Sequence, residues 1–157
     1  MPVQFTDSEI QALLLEGKPL PADYALRVVT KAKRGHRERE LAVEGEAGSD
    51  FVLKLRQSSI NPLDFSVILC VVPKGKNEEF RLRRHNGKSH EHTNKLERVK
   101  MYDYHIHMAT ERYQRTGWEE DSYAEPTNRY QDFQGALQSM LQDANFILPA
   151  NAQIELI

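Results

Sequence analysis

The run Phe65-Ser66-Val67-Ile68-Leu69-Cys70-Val71-Val72 carries apolar side chains at both its odd and its even positions. Successive side chains of a β-strand point to opposite faces of the sheet, so such a run is typical of a strand buried on both faces. Asn61-Pro62 stands before it, and the turn formers Pro73-Lys74-Gly75-Lys76-Asn77 follow it. The sequence therefore predicts a central strand over residues 65–72.

Alternating runs on both sides of this segment predict further strands. Residues 40–44 and 51–55 each alternate apolar and polar side chains, and the turn-rich stretch 45–50 joins them, which indicates a hairpin. Residues 22–36 are ambiguous between strand and short helix, and the alternation of Tyr24, Leu26 and Val28 favours a strand.

A further strand is predicted over residues 80–84. Simple alternation places Phe80, Leu82 and Arg84 on one face of it, and Arg81 and Arg83 on the other.

Helical patterns stand at both ends of the chain. Thr6 and Glu9 form a capping box that begins a helix, and Gly17 ends it. Near the C-terminus one apolar stripe at helical spacing predicts an amphipathic helix: Phe133, Ala136, Leu137, Met140, Leu141 and Ala144. Residues 152–157 are a candidate final strand. The predicted fold is a single α+β domain over residues 1–157, a mainly antiparallel sheet with both helices packed on it.

Composition narrows the class of protein. The chain has 157 residues, one cysteine and a formal net charge of −2. It has no apolar stretch near the roughly 18 residues of a membrane span, and MPVQFTDSE lacks the pattern of an export signal. We therefore expect a cytoplasmic protein with no membrane partner. Cys70 lies in the central apolar run, so we expect a buried and unreactive thiol.

Charge is distributed unevenly along the chain. Residues 1–100 carry 18 Lys and Arg against 14 Asp and Glu, whereas residues 101–157 carry 3 against 9. One basic cluster comprises Arg81, Arg83, Arg84 and Lys88. Clustered cations of this kind indicate a phosphate-bearing partner.

Two His-x-His pairs, His90/His92 and His105/His107, contain four of the six histidines. Residues i and i+2 of a strand share a face, so each pair projects two imidazoles from one surface. If the segments pair antiparallel with His92 opposite His105, opposed Cβ atoms lie about 4.5–5.5 Å apart and all four imidazoles share one patch. In residues 101–108 the histidines alternate with apolar side chains, so we expect the patch on an exposed or cleft-lining surface.

One interpretation of this patch is phosphodiester chemistry on RNA without a metal. A neutral imidazole takes a proton from a 2′-OH and a protonated imidazole gives one to the leaving oxygen, because the unperturbed pKa of histidine is about 6.5. The predicted supporting residues are Arg84 or Arg112 for the phosphate, Asp103 or Glu111 to orient an imidazole, and Tyr113 or Tyr123 to stack on a base.

A second interpretation is a divalent metal site, with Zn²⁺ as the candidate ion. Its ligands would be the four histidines, with Asp103, Glu91 or Glu111 as a further one. A third is a surface that binds nucleic acid or a protein partner without turnover. The sequence leaves these three interpretations open.

Residues 119–127 are strongly acidic and end at Pro126-Thr127. They are interpreted as a solvated loop that leads towards the last helix, and Trp118 before them is interpreted as a packing anchor.

The stretches 84–94 (RHNGKSHEHTN) and 105–113 (HIHMATERY) resemble an uncharacterised family of small bacterial and mobile-element proteins, known only as a domain of unknown function. The similarity runs from the opening helix through Ala144-Asn145-Phe146. It implies a coherent fold and no particular activity.

More distantly, the order of arginine, Asx-like turn, histidine and His-x-His resembles the TumE-type toxins of bacterial toxin–antitoxin pairs. His85 precedes Asn86-Gly87 here, where the toxin pattern has an acidic residue. The resemblance implies a cognate antitoxin as partner, and it implicates Arg84, Asn86, His90, His105 and His107.

Together these observations predict a toxin-like endoribonuclease that acts on RNA or another phosphodiester through its histidines. The alternative is a non-catalytic regulatory or interaction protein whose histidine patch binds a partner, nucleic acid or a structural metal.

Overall fold

Residues 65–72 form the middle strand of a seven-stranded sheet, as the sequence predicted. The computed structural model describes residues 3–150, so the candidate strand at 152–157 lies outside the described residues. In chain order the elements are α1 (Asp7–Leu15), β1 (Lys18–Pro19), α2 (Tyr24–Arg27), β2 (Val29–Lys33), β3 (His36–Glu44), β4 (Asp50–Ser58), β5 (Phe65–Val72), β6 (Phe80–Asn86), β7 (His92–Asn94), β8 (Val99–Met101), β9 (His105–Met108), α3 (Glu111–Arg115), β10 (Tyr123–Pro126), α4 (Phe133–Asp143) and β11 (Phe146–Ile147).

The large sheet has the strand order β10-β9-β6-β5-β4-β3-β2, and every neighbouring pair in it is antiparallel. The predicted β3–β4 hairpin is present, with Leu41 opposite Leu53. Two small sheets accompany it, a parallel pair of β1 with β11 and an antiparallel pair of β7 with β8. The described residues form one α+β domain, as predicted.

One face of the large sheet carries the hydrophobic core. On β5 this face consists of Phe65, Val67, Leu69 and Val71, each no more than 3% exposed. The predicted apolar stripe of α4 and two buried residues of α1 pack into the same core. α1 begins at Thr6 with the predicted capping box. Both terminal helices thus cover the same side of the sheet, which leaves the other side available for a site.

The segment at 22–28 differs from the prediction. The structure has the short helix α2 where alternation predicted a strand, and the strand begins only at Val29. Leu26 is 87% exposed, so Tyr24, Leu26 and Val28 do not share one buried face. Asp23 pairs with Arg27 one turn later at 2.7 Å, an arrangement that stabilises a helical turn.

A β-bulge in β6 changes which arginines share a face. The register between β5 and β6 shifts between Leu69 and Cys70, so β6 carries one extra residue there. Arg83 therefore shares the core face, whereas Arg81 and Arg84 both lie on the opposite face. The prediction that Arg84 lies beside the two apolar side chains of this strand is wrong, because alternation assumes an unbroken register.

Candidate functional site

The face of the sheet opposite the core, called the open face below, carries rows of polar side chains. The register of β6 and β9 places Asn86 opposite His105 and Arg84 opposite His107. Residues paired in register share a face of the sheet, so both histidines point away from the apolar core. Cys70 lies on the same face but is buried, and burial raises the pKa of its thiol to about 12, as expected of an unreactive cysteine.

The loop after β6 and the β7–β8 hairpin cover part of the open face and carry the other two histidines. Between ring centroids, His92 lies 4.6 Å from His107 and 5.4 Å from His105. The rings of His105 and His107 are 4.9 Å apart, and His90 is 6.2 Å from His105. The structure therefore brings all four imidazoles together, as the two His-x-His pairs predicted.

The strand pairing that gathers them is different from the predicted one. β7 pairs with β8, so His92 lies opposite Met101 and not opposite His105. The physical reason is that β6 and β10 occupy both edges of β9, which leaves no edge for β7. The Arg98 amide donates to the Asn94 carbonyl at 2.8 Å and closes a local hairpin instead.

The two pairs differ in burial. His105 is 0% exposed and His107 is 4% exposed, whereas His92 is half-buried and His90 is exposed. The second pair forms the floor of the site and the first pair stands at its mouth. The expectation of an exposed or cleft-lining surface therefore holds for His90, His92 and His107, whereas His105 is fully buried.

Hydrogen bonds fix the protonation of the two buried rings. His105 Nδ1 donates to the Asp103 carbonyl at 2.8 Å, and His107 Nδ1 donates to the Asp121 carbonyl at 2.7 Å. A carbonyl oxygen only accepts, so the proton of each neutral ring sits on Nδ1 and the Nε2 lone pair is free. His105 Nε2 is buried and has no hydrogen-bond partner among residues 3–150.

His92 is oriented by an asparagine of its own hairpin. The Asn94 amide donates to the Ala124 carbonyl at 2.7 Å and accepts from the Ala124 amide at 2.9 Å, which fixes its orientation. His92 Nε2 lies 2.8 Å from Asn94 Oδ1 and donates to it, so Nδ1 keeps the lone pair of this ring. The same asparagine therefore provides hydrogen-bond partners for the N–H and C=O groups of Ala124 in β10.

Three histidines can hold one metal ion. One ring nitrogen from each of His92, His105 and His107 lies within 4.8 Å of the other two. Imidazole nitrogens oriented by a hydrogen bond on their second nitrogen are the usual form of a metal-binding histidine. The prediction of a metal-binding cluster is confirmed as a geometric possibility for these three residues.

The surroundings keep the two floor histidines uncharged. Burial and, as a smaller effect, the neighbouring Arg84 guanidinium together lower the pKa of His107 to about 2. Burial also lowers the pKa of His105, against the effect of its bond to the Asp103 carbonyl. Neutral imidazole is the form that binds metals, whereas a general acid must carry the proton that it gives.

His90, His92 and His107 line a pocket of about 580 Å³ on the open face, whereas His105 is not among its lining residues. Its charged lining residues are Arg56, Arg81, Arg84, Asp64, Glu119 and Asp121. Asn86 also lines it, and the buried Oδ1 of its side chain has no hydrogen-bond partner in the described part of the chain. A second pocket, of about 590 Å³, lies beside Arg83 and Arg129, but none of its described lining residues is a histidine.

Asp121 joins the imidazoles to the arginines of the pocket. Besides holding His107 through its carbonyl, it places its carboxylate 3.2 Å from Arg84 Nη2 and 3.3 Å from Arg81 Nε. Its side chain is 1% exposed, and burial raises the pKa of the carboxyl despite both arginines.

Sequence reasoning missed Asp121 because residues 119–127 were interpreted as a solvated loop. The structure instead places the strand β10 there. One signal in the sequence could have suggested this pairing. Carboxylates outnumber cations in residues 101–157, whereas residues 81–88 are basic, so a carboxylate could pair with an arginine of that cluster. Trp118, 47% exposed, is likewise not a packing anchor.

Several residues predicted for the site have other partners. Asp103 contributes its carbonyl oxygen, while its carboxylate side is exposed. Glu111 accepts from the Asp7 amide at 2.8 Å and pairs with Arg115, so it joins α3 to α1. Lys88 lies over the Tyr104 ring, 5.3 Å from its centroid.

The predicted base-stacking group forms a separate cluster. Tyr113 is fully buried and donates its hydroxyl to Glu97. Arg112 pairs with Glu97 and lies over the rings of Tyr113 and Tyr123. Of the predicted supporting residues, Arg84 and Asn86 line the histidine pocket, whereas Arg112 and Tyr113 lie outside it.

Comparison with protein-family models, curated proteins and solved structures finds no match to this chain. Within residues 3–150, no helix has the length and apolar character needed to cross a membrane. The fold and the site together define this chain as an α+β protein with a three-histidine cluster at a pocket on the open face of an antiparallel sheet.

Proposed function

We propose that this pocket is a metal-dependent hydrolytic site, in which His92, His105 and His107 bind Zn²⁺ and the substrate is a phosphoester. One observation carries the proposal. Both buried histidines donate Nδ1–H to a backbone carbonyl, which leaves the lone pair of Nε2 for a ligand, and His105 Nε2 has no other partner within residues 3–150.

Zinc suits this donor set. Zn²⁺ prefers tetrahedral coordination, and three protein ligands with one open position are the pattern of catalytic zinc sites. Bound at about 2.0–2.1 Å from the metal, tetrahedral ligand atoms lie about 3.3 Å apart. The three nitrogens, now within 4.8 Å of one another, would each move by less than about 1 Å to reach that geometry.

The chemistry follows from the open fourth position. A bound zinc ion would lower the pKa of its water towards 7 and so would activate that water as the nucleophile. Arg84, which lies opposite His107 in register, is placed to stabilise negative charge on the phosphoryl oxygens. His90, exposed at the mouth, is the imidazole available to exchange protons with solvent.

The metal-free mechanism on RNA fits the surroundings less well. It requires a protonated imidazole, which neither floor histidine supplies while buried beside the Arg84 guanidinium, so its general acid would have to be His90 or His92 at the mouth. RNA as substrate, toxicity and a cognate antitoxin stay predictions from the sequence. RNA as substrate is tested with the same variants.

A structural metal is the second candidate. His92 belongs to the small β7–β8 sheet, whereas His105 and His107 belong to the large sheet. One ion would therefore hold the two sheets together without any turnover. In that case Zn²⁺ would raise stability, and neither phosphoesters nor RNA would be hydrolysed.

The test begins with Zn²⁺ titration of EDTA-treated protein by calorimetry. We expect one equivalent to bind. Replacing His105→Gln or His107→Gln should weaken binding more than about 100-fold, because even groups that only orient a ligand are worth about 10- to 100-fold. His36→Ala is the matched control, since His36 pairs with Glu38 on β3, away from the pocket.

Activity is then measured on p-nitrophenyl phosphate, bis(p-nitrophenyl) phosphate and single-stranded RNA. Hydrolysis that requires Zn²⁺ and disappears in His107→Gln supports the proposal. Absence of Zn²⁺ binding would refute it, and RNA cleavage by the EDTA-treated protein at an undiminished rate would establish the metal-free mechanism instead.

A further inference from the structure

We infer that the ligand of the histidine pocket is a compact phosphomonoester dianion, held between the metal and Arg84, and not a polynucleotide. This inference rests on the proposed metal site and names its substrate class. It is carried by the charge balance of the pocket, the unused donors of Arg84 and the carboxylates at the rim.

The charge balance of the lining favours a dianion once a metal is present. Three arginines and three carboxylates line the pocket, and their formal charges cancel. A divalent ion that carries neutral water would bring the total to two positive charges. A phosphomonoester dianion restores neutrality, whereas a phosphodiester monoanion leaves one charge unbalanced. Without the metal the lining offers an anion no net attraction.

Arg84 has unused N–H donors that such a ligand could accept from. A guanidinium carries five N–H donors. Among the described residues the Arg84 guanidinium makes no hydrogen bond, and its one ion pair joins Nη2 to Asp121 at 3.2 Å. Arg56 and Arg81, in contrast, donate to Asp64 and Glu119. Arg84 is therefore the arginine that can offer a fork of donors to a phosphoryl group.

The rim of the pocket disfavours a polymer. Glu119 is exposed there, with 71% of its side chain accessible, and Asp64 lines the same pocket. A polynucleotide carries a charge at every phosphate, so the groups next to the bound one would meet these carboxylates. All three arginines of the lining already have a carboxylate partner, and only Arg84 makes no hydrogen bond within the described residues. A small ligand enters without that repulsion.

The reaction balances with water as the only co-reactant. A water molecule activated by the metal would form a bond to phosphorus and give up a proton, and the bond from phosphorus to the ester oxygen would break. The ester oxygen would leave with the electron pair and take that proton by way of solvent. The products are an alcohol and hydrogen phosphate. No oxidant, reductant or nucleotide is required.

The test compares three ligands on the Zn²⁺-loaded protein by calorimetry: inorganic phosphate, dimethyl phosphate and a single-stranded oligoribonucleotide. We expect phosphate to bind at least about tenfold more tightly than dimethyl phosphate, and the metal-free protein to bind neither, because the charge balance requires the ion. Arg84→Gln should weaken phosphate binding about tenfold and leave Zn²⁺ affinity unchanged.

Arg112→Gln is the matched control, because it removes the same charge from an arginine outside the pocket. If Arg84→Gln fails to fold, Arg84→Lys serves instead, since it keeps the charge and loses the fork. Any one of three results would overturn the inference. The oligoribonucleotide could bind more tightly than phosphate, phosphate and dimethyl phosphate could bind equally, or Arg84→Gln could leave phosphate binding unaffected. Zn²⁺ binding is read separately, so these results leave the metal site standing.

Discussion

At the scale of single residues, backbone carbonyls decide what the histidines can do. A histidine sequence motif carries no information on tautomer, yet the carbonyls of Asp103 and Asp121 fix the proton on Nδ1 in both buried rings. Asp121 does this while its carboxylate holds two arginines. Asp121 thereby links His107 to two arginines of the pocket.

Asp121→Asn separates these two roles. The backbone carbonyl remains, so we expect Zn²⁺ affinity to change less than about threefold. The arginines lose a charged partner that is itself buried, so the free energy of unfolding should fall by about 1–3 kcal/mol. Urea denaturation and Zn²⁺ calorimetry measure the two effects. Asp50→Asn is the control, because its ion pair with Lys74 is exposed and should contribute less than about 1 kcal/mol.

The burial of His85 predicts that the stability of the fold depends on pH independently of the metal site. It lies on the core side, where Nδ1 meets Ser139 Oγ at 2.7 Å and Nε2 accepts from Arg83. The pKa of His85 is lowered to about 3, mainly by burial and next by Arg83 and Arg129, while Asp143 acts in the opposite direction. In the unfolded chain the pKa is near 6.5, so the unfolded state binds more protons between pH 6.5 and 3.

Stability from His85 is therefore complete above about pH 6.5 and is lost as the pH falls towards 3. Between pH 7.5 and 5 this group should remove about 2 kcal/mol from the free energy of unfolding of the metal-free protein. In His85→Asn that contribution should disappear, and the pH profile should flatten by the same amount. An identical profile in parent and variant would show that His85 is not the titrating group.

At the scale of elements, one buried lysine joins the ends of two helices. Lys18 Nζ lies 2.7–3.1 Å from the carbonyl oxygens of Leu13, Leu14, Glu16 and Ala144, which share its three N–H donors. These carbonyls lie at the C-terminal ends of α1 and α4, where the helix dipole favours a cation. Lys18 thus substitutes for the C-terminal basic residues that both helices lack.

Lys18→Met tests this junction. Four carbonyls lose their donor in a buried position, so we expect the free energy of unfolding to fall by about 3 kcal/mol. Chemical denaturation monitored by circular dichroism measures it. Lys74→Met, at a lysine with 74% of its side chain exposed, should change stability by less than about 1 kcal/mol. A small effect of Lys18→Met would mean that water satisfies these carbonyls.

At the scale of the whole molecule, the site joins two sheets. His92 stands on the small β7–β8 sheet and the other two candidate ligands stand on β9 of the large one. An ion bound by all three ligands would bind the folded state only, because the unfolded chain does not hold them together. Metal binding is therefore coupled to global stability.

Thermal unfolding measures this coupling. At a free Zn²⁺ concentration of 100 times Kd we expect about 2.7 kcal/mol of added stability, or a rise in Tm of about 5–10 °C for a chain of this size. EDTA should reverse the rise. The double variant His105→Gln/His107→Gln should show no shift, whereas a shift equal to that of the parent would place the bound ion elsewhere.

The amino-acid sequence by itself determined the types of most elements, because side-chain periodicity and capping are local properties. It determined the central strand at 65–72, the β3–β4 hairpin, the terminal helices and the parity that turns His105 and His107 away from the core. Tertiary structure alone decided the pairing of β7 with β8, the bulge that places Arg84 on the open face, and the burial of Asp121. Those features depend on which strand edges are already occupied and on contacts between distant segments, and no local pattern records either.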